Sequence, residues 1–182
     1  TSFILPKKPA QLLKSSLNMD DTDVTIQFDG RNAVFSYDSG VLNCRLIEGR
    51  YPNYNSVIPK DNPYLVAVEK KSLLGALKRV LPFASDSSQL VRLDVEENKI
   101  TIKSEDLEFA TKAVEQVACG YVGNKVCIGF KGSALQAVLS NLNFDELTLC
   151  IGDPSRPCLV LPAEQPEGQD VLMLLMPMLL ND

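Results

Sequence analysis

The residue types that carry out most biological chemistry are either missing from this chain or wrongly spaced for it. The 182 residues include no histidine, which removes the commonest general base, the usual partner of a nucleophilic Ser or Cys, and the commonest imidazole metal ligand. Five cysteines (Cys44, Cys119, Cys127, Cys150, Cys158) are an odd number and form no C-x-x-C pair. That argues against a disulfide framework or a thiolate zinc site and for reduced thiols on strands. Gly129-Phe130-Lys131-Gly132-Ser133 resembles a phosphate loop, but the order is Lys-Gly-Ser and the four-residue glycine spacing is missing, so it reads as a helix N-terminus. Asp20-Asp21-Thr22-Asp23 lacks the later glycine and distal glutamate of a calcium loop and reads as a solvated strand entrance. The expectation is a chain that is not an enzyme and takes no cofactor or metal.

The cations are placed differently from the acids. Segments 7–17, 70–81 and 131–142 contain no Asp or Glu although the chain has 23 acids, where about four would fall by chance. They carry Lys7, Lys8, Lys14, Lys70, Lys71, Lys78, Arg79 and Lys131. Lys71, Gly75, Lys78 and Arg79 follow i, i+4, i+7, i+8 and share one helix face, while Leu73, Leu74, Leu77 and Leu81 point elsewhere. Acids gather in turns and strand ends: Asp20, Asp21 and Asp23, then Glu96 and Glu97, then Glu105, Asp106 and Glu108, then Asp145 and Glu146. A net charge of −5 counts against a nucleic-acid partner as a sum, but three acid-free helices in one register imply a shared face for a polyanion. With no tryptophan and no major-groove recognition helix, such a face would touch phosphates without reading sequence.

The elements that must position these residues recur. Leu13, Leu74 and Leu135 fall at a constant step of 61 residues, and Leu17, Lys78 and Leu139 keep the same step. Three consecutive β-α-β-β-β units follow, of about sixty residues each. The first has a strand at Phe3–Leu5, a helix over 7–17, then alternating strands at Val24/Ile26/Phe28, Ala33/Phe35/Tyr37 and Leu42/Cys44/Leu46. Asp29-Gly30 reads as a hairpin turn using positive φ. Arg50–Pro59, with two prolines, reads as a linker. The second unit runs from Leu65–Val68 through a helix to strands at Val91/Leu93/Val95 and Ile100/Ile102 around a Glu97-Asn98 turn, with a further strand near Phe109. The third runs from Val126/Ile128/Phe130 through a helix to Leu147/Leu149/Ile151, Cys158–Leu161 and a last strand within Val171–Met178. One helix on one sheet leaves apolar surface uncovered, so units should pair, giving one closed pair and one orphan.

The fold class is therefore α+β, with helices on one face of antiparallel sheets. The ending Asp170–Leu180 (DVLMLLMPMLL) holds three of the four methionines and reads both as a last core strand and as a soft apolar surface for short peptides. Its longest apolar run is too short to span a membrane, and Lys7, Lys8 and Pro9 interrupt the opening apolar residues before any signal forms. The chain reads as soluble and cytoplasmic.

Several segments together resemble the bacterial DNA sliding clamp, the β subunit of the DNA polymerase III holoenzyme. They are Ile4-Leu5-Pro6-Lys7-Lys8, Leu46-Ile47-Glu48-Gly49-Arg50-Tyr51-Pro52-Asn53-Tyr54 with Val57-Ile58-Pro59, Val91-Arg92-Leu93, Ile128-Gly129-Phe130 and Met176-Pro177-Met178. Members of that family have three domains of two such units, joined head to tail by two subunits into a ring around duplex DNA. The resemblance implies that 1–62 is the second half of a middle domain and 63–182 the third domain, with units at 63–124 and 125–182. It implies a homo-oligomeric processivity factor for sequence-independent duplex DNA, whose partners are DNA polymerase III, the clamp loader and other clamp-binding proteins, with no membrane. It places Lys7 and Lys8 in the DNA channel, to which the helix-face argument adds Lys14, Lys71, Lys78 and Arg79. It places Pro52, Val57, Leu174, Leu175, Met176, Pro177 and Met178 in a peptide pocket and Phe83 near a subunit contact. Ser56 and Leu179 stand where basic residues are common in the family. The alternative reading is a fragment that forms no ring and only holds clamp-binding peptides.

Overall fold

The computed structural model describes residues 2–17 and 23–180, so Asp20, Asp21 and Thr22 of the acidic run, together with Asn181 and Asp182, lie outside the described residues. The described chain separates into two compact units, one to Asn53 and one from Tyr54 onward.

The second unit contains two repeats. In the first of them β4 (Tyr64–Glu69) leads into α2 (Lys70–Val80), followed by β5 (Leu90–Glu96), β6 (Lys99–Asp106) and β7 (Thr111–Ala118). In the second, β8 (Val126–Lys131) leads into α3 (Gly132–Asn141), followed by β9 (Glu146–Ile151), β10 (Cys158–Pro162) and β11 (Met173–Leu175). The repeats do not fold side by side. Each gives its opening strand to the other's sheet: β8 pairs antiparallel with β5, and β4 with β9. The resulting sheets are β7-β6-β5-β8 and β11-β10-β9-β4.

Single bridges then join the sheets at both junctions. Ala67 of β4 exchanges backbone hydrogen bonds with Gly120, just past β7, at 3.0 and 2.7 Å. Gly129 of β8 accepts one from Met178, just past β11, at 2.8 Å. The eight strands thus form a circuit, and α2 packs over the β4–β7 junction while α3 packs over the β8–β11 junction and against α2. One core fills the unit. It takes the alternate residues Val91, Leu93 and Val95 of β5 and Leu147, Leu149 and Ile151 of β9, all fully buried or nearly so, as a period of two requires of a strand with one inward face. On α2 the buried stripe is Leu73, Ala76, Leu77 and Val80, the i, i+3, i+4, i+7 spacing of one helix face. Leu74 and Leu81, expected inward, only pack at its margin.

The first unit has α1 (Lys7–Ser16) and a three-stranded sheet β1-β2-β3 at Thr25–Phe28, Asn32–Tyr37 and Gly40–Arg45. Its buried core is Leu13, Ala33, Phe35 and Leu46. The expected strand at Phe3–Leu5 is present only as one bridge, in which Ile47 donates to the Ile4 carbonyl at 3.0 Å. The Asp29-Gly30 turn does not use positive φ at Gly30. Instead the Asp29 carboxylate accepts from the Arg31 and Asn32 amides at 2.7 and 2.6 Å, a side-chain mimic of a backbone turn. Asn98 does adopt the left-handed conformation, φ 57°, in the two-residue β5–β6 hairpin. Phe109 is not on a strand; it sits 71% exposed in the turn before β7. That turn is pinned by Asp106 Oδ1, which accepts from the Glu108 and Phe109 amides. Gly49, φ 124°, is a position only glycine takes without strain. All five cysteines are free thiols, and four lie on β3, β8, β9 and β10. Burial pushes the Cys158 thiol up to about 12.

On the outer face of β5, Asp94 is only 2% exposed. Burial alone would raise its carboxyl pKa, but Lys103 Nζ at 2.6 Å, Arg92 Nε at 2.7 Å and the Cys127 thiol outweigh it and hold the pKa at about 2. Because the folded pKa lies below the unfolded one, this contribution is complete above the unfolded carboxylate range and disappears as pH falls toward 2. Asp94→Asn should therefore lose roughly 2 kcal/mol at pH 7. Urea titrations at a series of pH values should show the gap from the parent closing as the medium is acidified below about pH 4.

Candidate nucleic-acid interface and docking surface

The two cation-bearing helices begin against electrostatic preference. The N-terminal end of a helix carries partial positive charge and favours acids by about 0.3–1 kcal/mol each. Yet α1 starts with Lys7 and Lys8 and α2 with Lys70 and Lys71, with no acid in either first turn and no side-chain cap. Stability alone would place carboxylates there; α2 has one only at its N-cap position, Glu69, whose carboxylate accepts from the Ser72 hydroxyl.

Of these cations, Lys7, Lys8, Lys14, Lys71 and Lys78 are exposed. Among the described residues no acid pairs with Lys71 or Lys78. Lys70 is used inside the unit: its Nζ donates to the Leu142 carbonyl at 2.7 Å, placing a positive charge at the negative end of α3. Arg79 is also committed. Its Nε and Nη2 reach Glu115 Oε1 and Oε2 on β7 at 2.9 and 3.0 Å. This bidentate pair raises the Arg79 pKa and lowers that of Glu115. Glu115 lies 36 residues along the chain, so the helix face alone gave no sign of it. α3 bears no charge at all; Lys131 stands exposed immediately before it. Exposed helix cations are thus found on α1 in the first unit and on α2 in the second.

The structure gathers the residues of the apolar ending. β11 pairs with β10 through Cys158↔Leu175, Leu159↔Leu174 and Val160↔Met173 at the margin of one sheet. Pro177 ends that pairing, and Met178 crosses to the margin of the other sheet at Gly129. Leu174, Leu175, Pro177 and Met178 are half-buried and Met176 is 54% exposed. Met173 and Leu175 pack against the core from the sheet margin, and Met176 stays exposed. Val57, also 55% exposed, lies in the same unit. Pro52 is exposed and belongs to the first unit. Phe83, 41% exposed, closes the 3-10 turn after α2, a turn that packs on β6 and β7. β7 forms the outer strand of its sheet.

A feature not visible beforehand is why Gly129 is glycine. A Cβ there would come within 2.9 Å of the Met178 carbonyl oxygen and 2.7 Å of Leu180 Cδ2. The signal was available only as an isolated glycine inside a strand pattern, which marks close backbone approach. Among the described residues no three His, Cys, Asp or Glu side chains group as a metal site, and no helix is long and apolar enough to cross a membrane.

Residues 55–179 match the family described as the C-terminal domain of the DNA polymerase III beta subunit. The chain is similar to the beta sliding clamp of Caulobacter vibrioides, 28% identical over 170 residues, covering 93% of this chain and 45% of the relative. It is equally similar to that of Haemophilus influenzae, 28% identical over 172 residues, covering 94% and 47%. A crystal structure of the Pseudomonas aeruginosa DNA polymerase sliding clamp superposes with a TM-score of 0.89 at 25% identity, covering 98% of this chain and 48% of that one. The Caulobacter crescentus polymerase III beta structure gives 0.85 at 29% identity, covering 98% and 47%. The chain spans about half the length of these relatives.

Gly129→Val should release the ending from β8. Hydrogen exchange should show the Met178 amide losing protection, while the amides of β5 and β6 keep theirs.

Proposed function

The chain belongs to the DNA polymerase III beta-subunit family, and from that membership we propose that it works as part of a DNA sliding clamp, a non-catalytic processivity factor that encircles duplex DNA and docks replication and repair proteins. The observation that carries the reading is the set of exposed lysines in the first turns of α1 and α2, Lys7, Lys8 and Lys71. Such a placement gives up a little stability and suits a phosphate backbone held weakly and without regard to sequence.

In this reading Lys7, Lys8, Lys14, Lys71 and Lys78 face the DNA, and Arg79 contributes less because Glu115 already neutralises it. Residues 1–62 serve as the second half of a middle domain and 63–182 as the third domain. Val57, Leu174, Leu175, Met176, Pro177 and Met178 receive the short peptides of DNA polymerase III, the clamp loader and other partners, with Pro52 assigned by family resemblance. Phe83, next to the outer strand β7, takes part in the subunit contact that closes the homo-oligomeric ring. Retention would come from topology, so affinity for any one stretch of duplex need not be high.

A second reading is a peptide-holding module that forms no ring. It is favoured by the ending being assembled wholly within the second unit, on β10 and β8.

The clamp reading is tested by loading the protein on nicked circular DNA and then linearising it. Retention on the circle with loss from the linear form supports encirclement; equal retention on both, or none on either, sinks it. Direct phosphate contact is tested separately by binding at a series of salt concentrations. Lys71→Ala and Lys78→Ala should each flatten the logarithmic salt dependence by up to about 0.9, and Arg79→Ala should change it less.

A further inference from the structure

The apolar ending leaves its sheet beside the turn that joins β9 to β10. β11 pairs with β10 up to Leu175 opposite Cys158, so Met176 emerges at the end of the sheet from which Pro157 and Arg156 also project. At about 3.3 Å per residue along a strand and about 5 Å between strands, the Arg156 and Met176 backbones lie within roughly 10 Å of each other.

One side chain holds that turn at both feet. Asn62, just before β4, donates its Nδ2 to the Cys150 carbonyl on β9 at 2.8 Å and to the Pro157 carbonyl at 3.0 Å. A Cβ at residue 152 would meet Asn62 Oδ1 at 2.6 Å, so glycine is what lets Asn62 sit this close. Inside the turn, Asp153 Oδ1 accepts from the Ser155 amide at 2.8 Å and from the Ser155 hydroxyl at 2.6 Å, and the Asp153 carbonyl accepts from the Arg156 amide at 2.8 Å. The Asp153 carboxylate is thereby used within the turn, and the Ser155 bonds lower its pKa. The backbone that carries Arg156 is already ordered, so a ligand meeting it pays little to fix it.

The Arg156 side chain is held far more loosely than its backbone. It is 56% exposed, and Nη1 makes a single contact of 3.4 Å with Asp61 Oδ1, on a side chain 77% exposed. One long contact between exposed groups is worth little, unlike the bidentate pair at 2.9 and 3.0 Å that commits Arg79 to Glu115. A guanidinium offers five N–H donors in a planar fork that fits a carboxylate. Asp61 lies four residues beyond Val57, so Arg156 reaches from the turn beside Met176 toward the segment that carries Val57. Lys60, also exposed, stands next to Asp61. With Asp153 consumed, the charges here are two cations against one acid.

We infer that Arg156 selects partner peptides that carry an acidic side chain next to their apolar anchors, its guanidinium exchanging Asp61 for the peptide carboxylate as the anchors seat on Val57, Leu174 and Met176. This deepens the docking reading above and rests on it. Met and Leu repack around many side chains, so apolar contact supplies affinity with little choice. A fixed cation supplies the choice. Asp61 acts as the competitor that an incoming carboxylate must displace.

The test uses the full chain and two pairs of synthetic peptides, Ac-Asp-Leu-Leu-Phe-NH2 with its Asn twin, and Ac-Leu-Leu-Phe-Asp-NH2 with its Asn twin, the second pair covering the opposite orientation. Calorimetry should show the acidic member of one pair binding about threefold tighter than its twin, with the preference fading as salt is raised. Arg156→Gln should make the two members bind alike, and Asp61→Asn, which frees the guanidinium, should widen the preference. Equal binding of both pairs by the parent, or a preference that survives Arg156→Gln, would overturn the inference; the docking reading would still stand if Met176→Ser weakens every peptide. Binding by none of the four, or binding indifferent to Met176→Ser, would overturn the docking reading and this inference with it.

Discussion

A β-α-β-β-β repeat has one more strand edge than it can satisfy, and the rest of this architecture follows from how that edge is paired. In the second unit the opening strand of each repeat completes the sheet of the other, through Tyr64–Glu69 against β9 and Val126–Lys131 against β5. The exchange commits backbone hydrogen bonds that would otherwise face solvent and brings two helices together over the sheet junctions. Because both repeats lend a strand, neither can keep its sheet if the other unfolds. The single continuous core, from Val66 on β4 to Val160 on β10, is the side-chain expression of the same arrangement.

The first unit has the same chain order, and among the described residues no second repeat exchanges a strand with it. Among the described residues four buried side chains hold it, with Phe35 the largest and Leu13 and Leu46 next. The sheet face that should be buried is open at Ile26 and Phe28. Its exposed cations include Lys7, Lys8 and Lys14 on the helix and Arg45 on the outer strand β3.

Closing the strands also divides the charges between structural and available ones. Folding brings Glu115 on β7 to Arg79, the α3 C-terminus to Lys70, and Asp94 to Lys103 and Arg92. Lys71 and Lys78 are left outward on α2. A net acidic chain thereby presents exposed cations on α1 and, separately, on α2. The ending has a comparable double use: Leu174 and Leu175 continue one sheet, Met178 docks on the other, and Met176 between them stays exposed.

What the sequence by itself determined was the kind and order of elements. The 61-residue step and the two periodicities place α1, α2 and α3 to within a residue or two and mark Val91, Leu93, Val95, Leu147, Leu149 and Ile151 as inward. Those properties are local, set by neighbours a few positions apart. Segments such as Leu46–Tyr54 and Met176–Met178 also carried the family resemblance. What only the tertiary structure decided was partnership. No side-chain pattern says that β8 belongs to the sheet of β5 rather than to that of β9, because the ladder is made of backbone groups common to every residue. Nor does a helix face reveal that Arg79 meets an acid 36 positions away, or that Gly129 is kept small by the Met178 carbonyl. The strand expected near Phe109 is β7, which starts at Thr111, and what composition did not show is that Phe109 itself sits in the pinned turn before it.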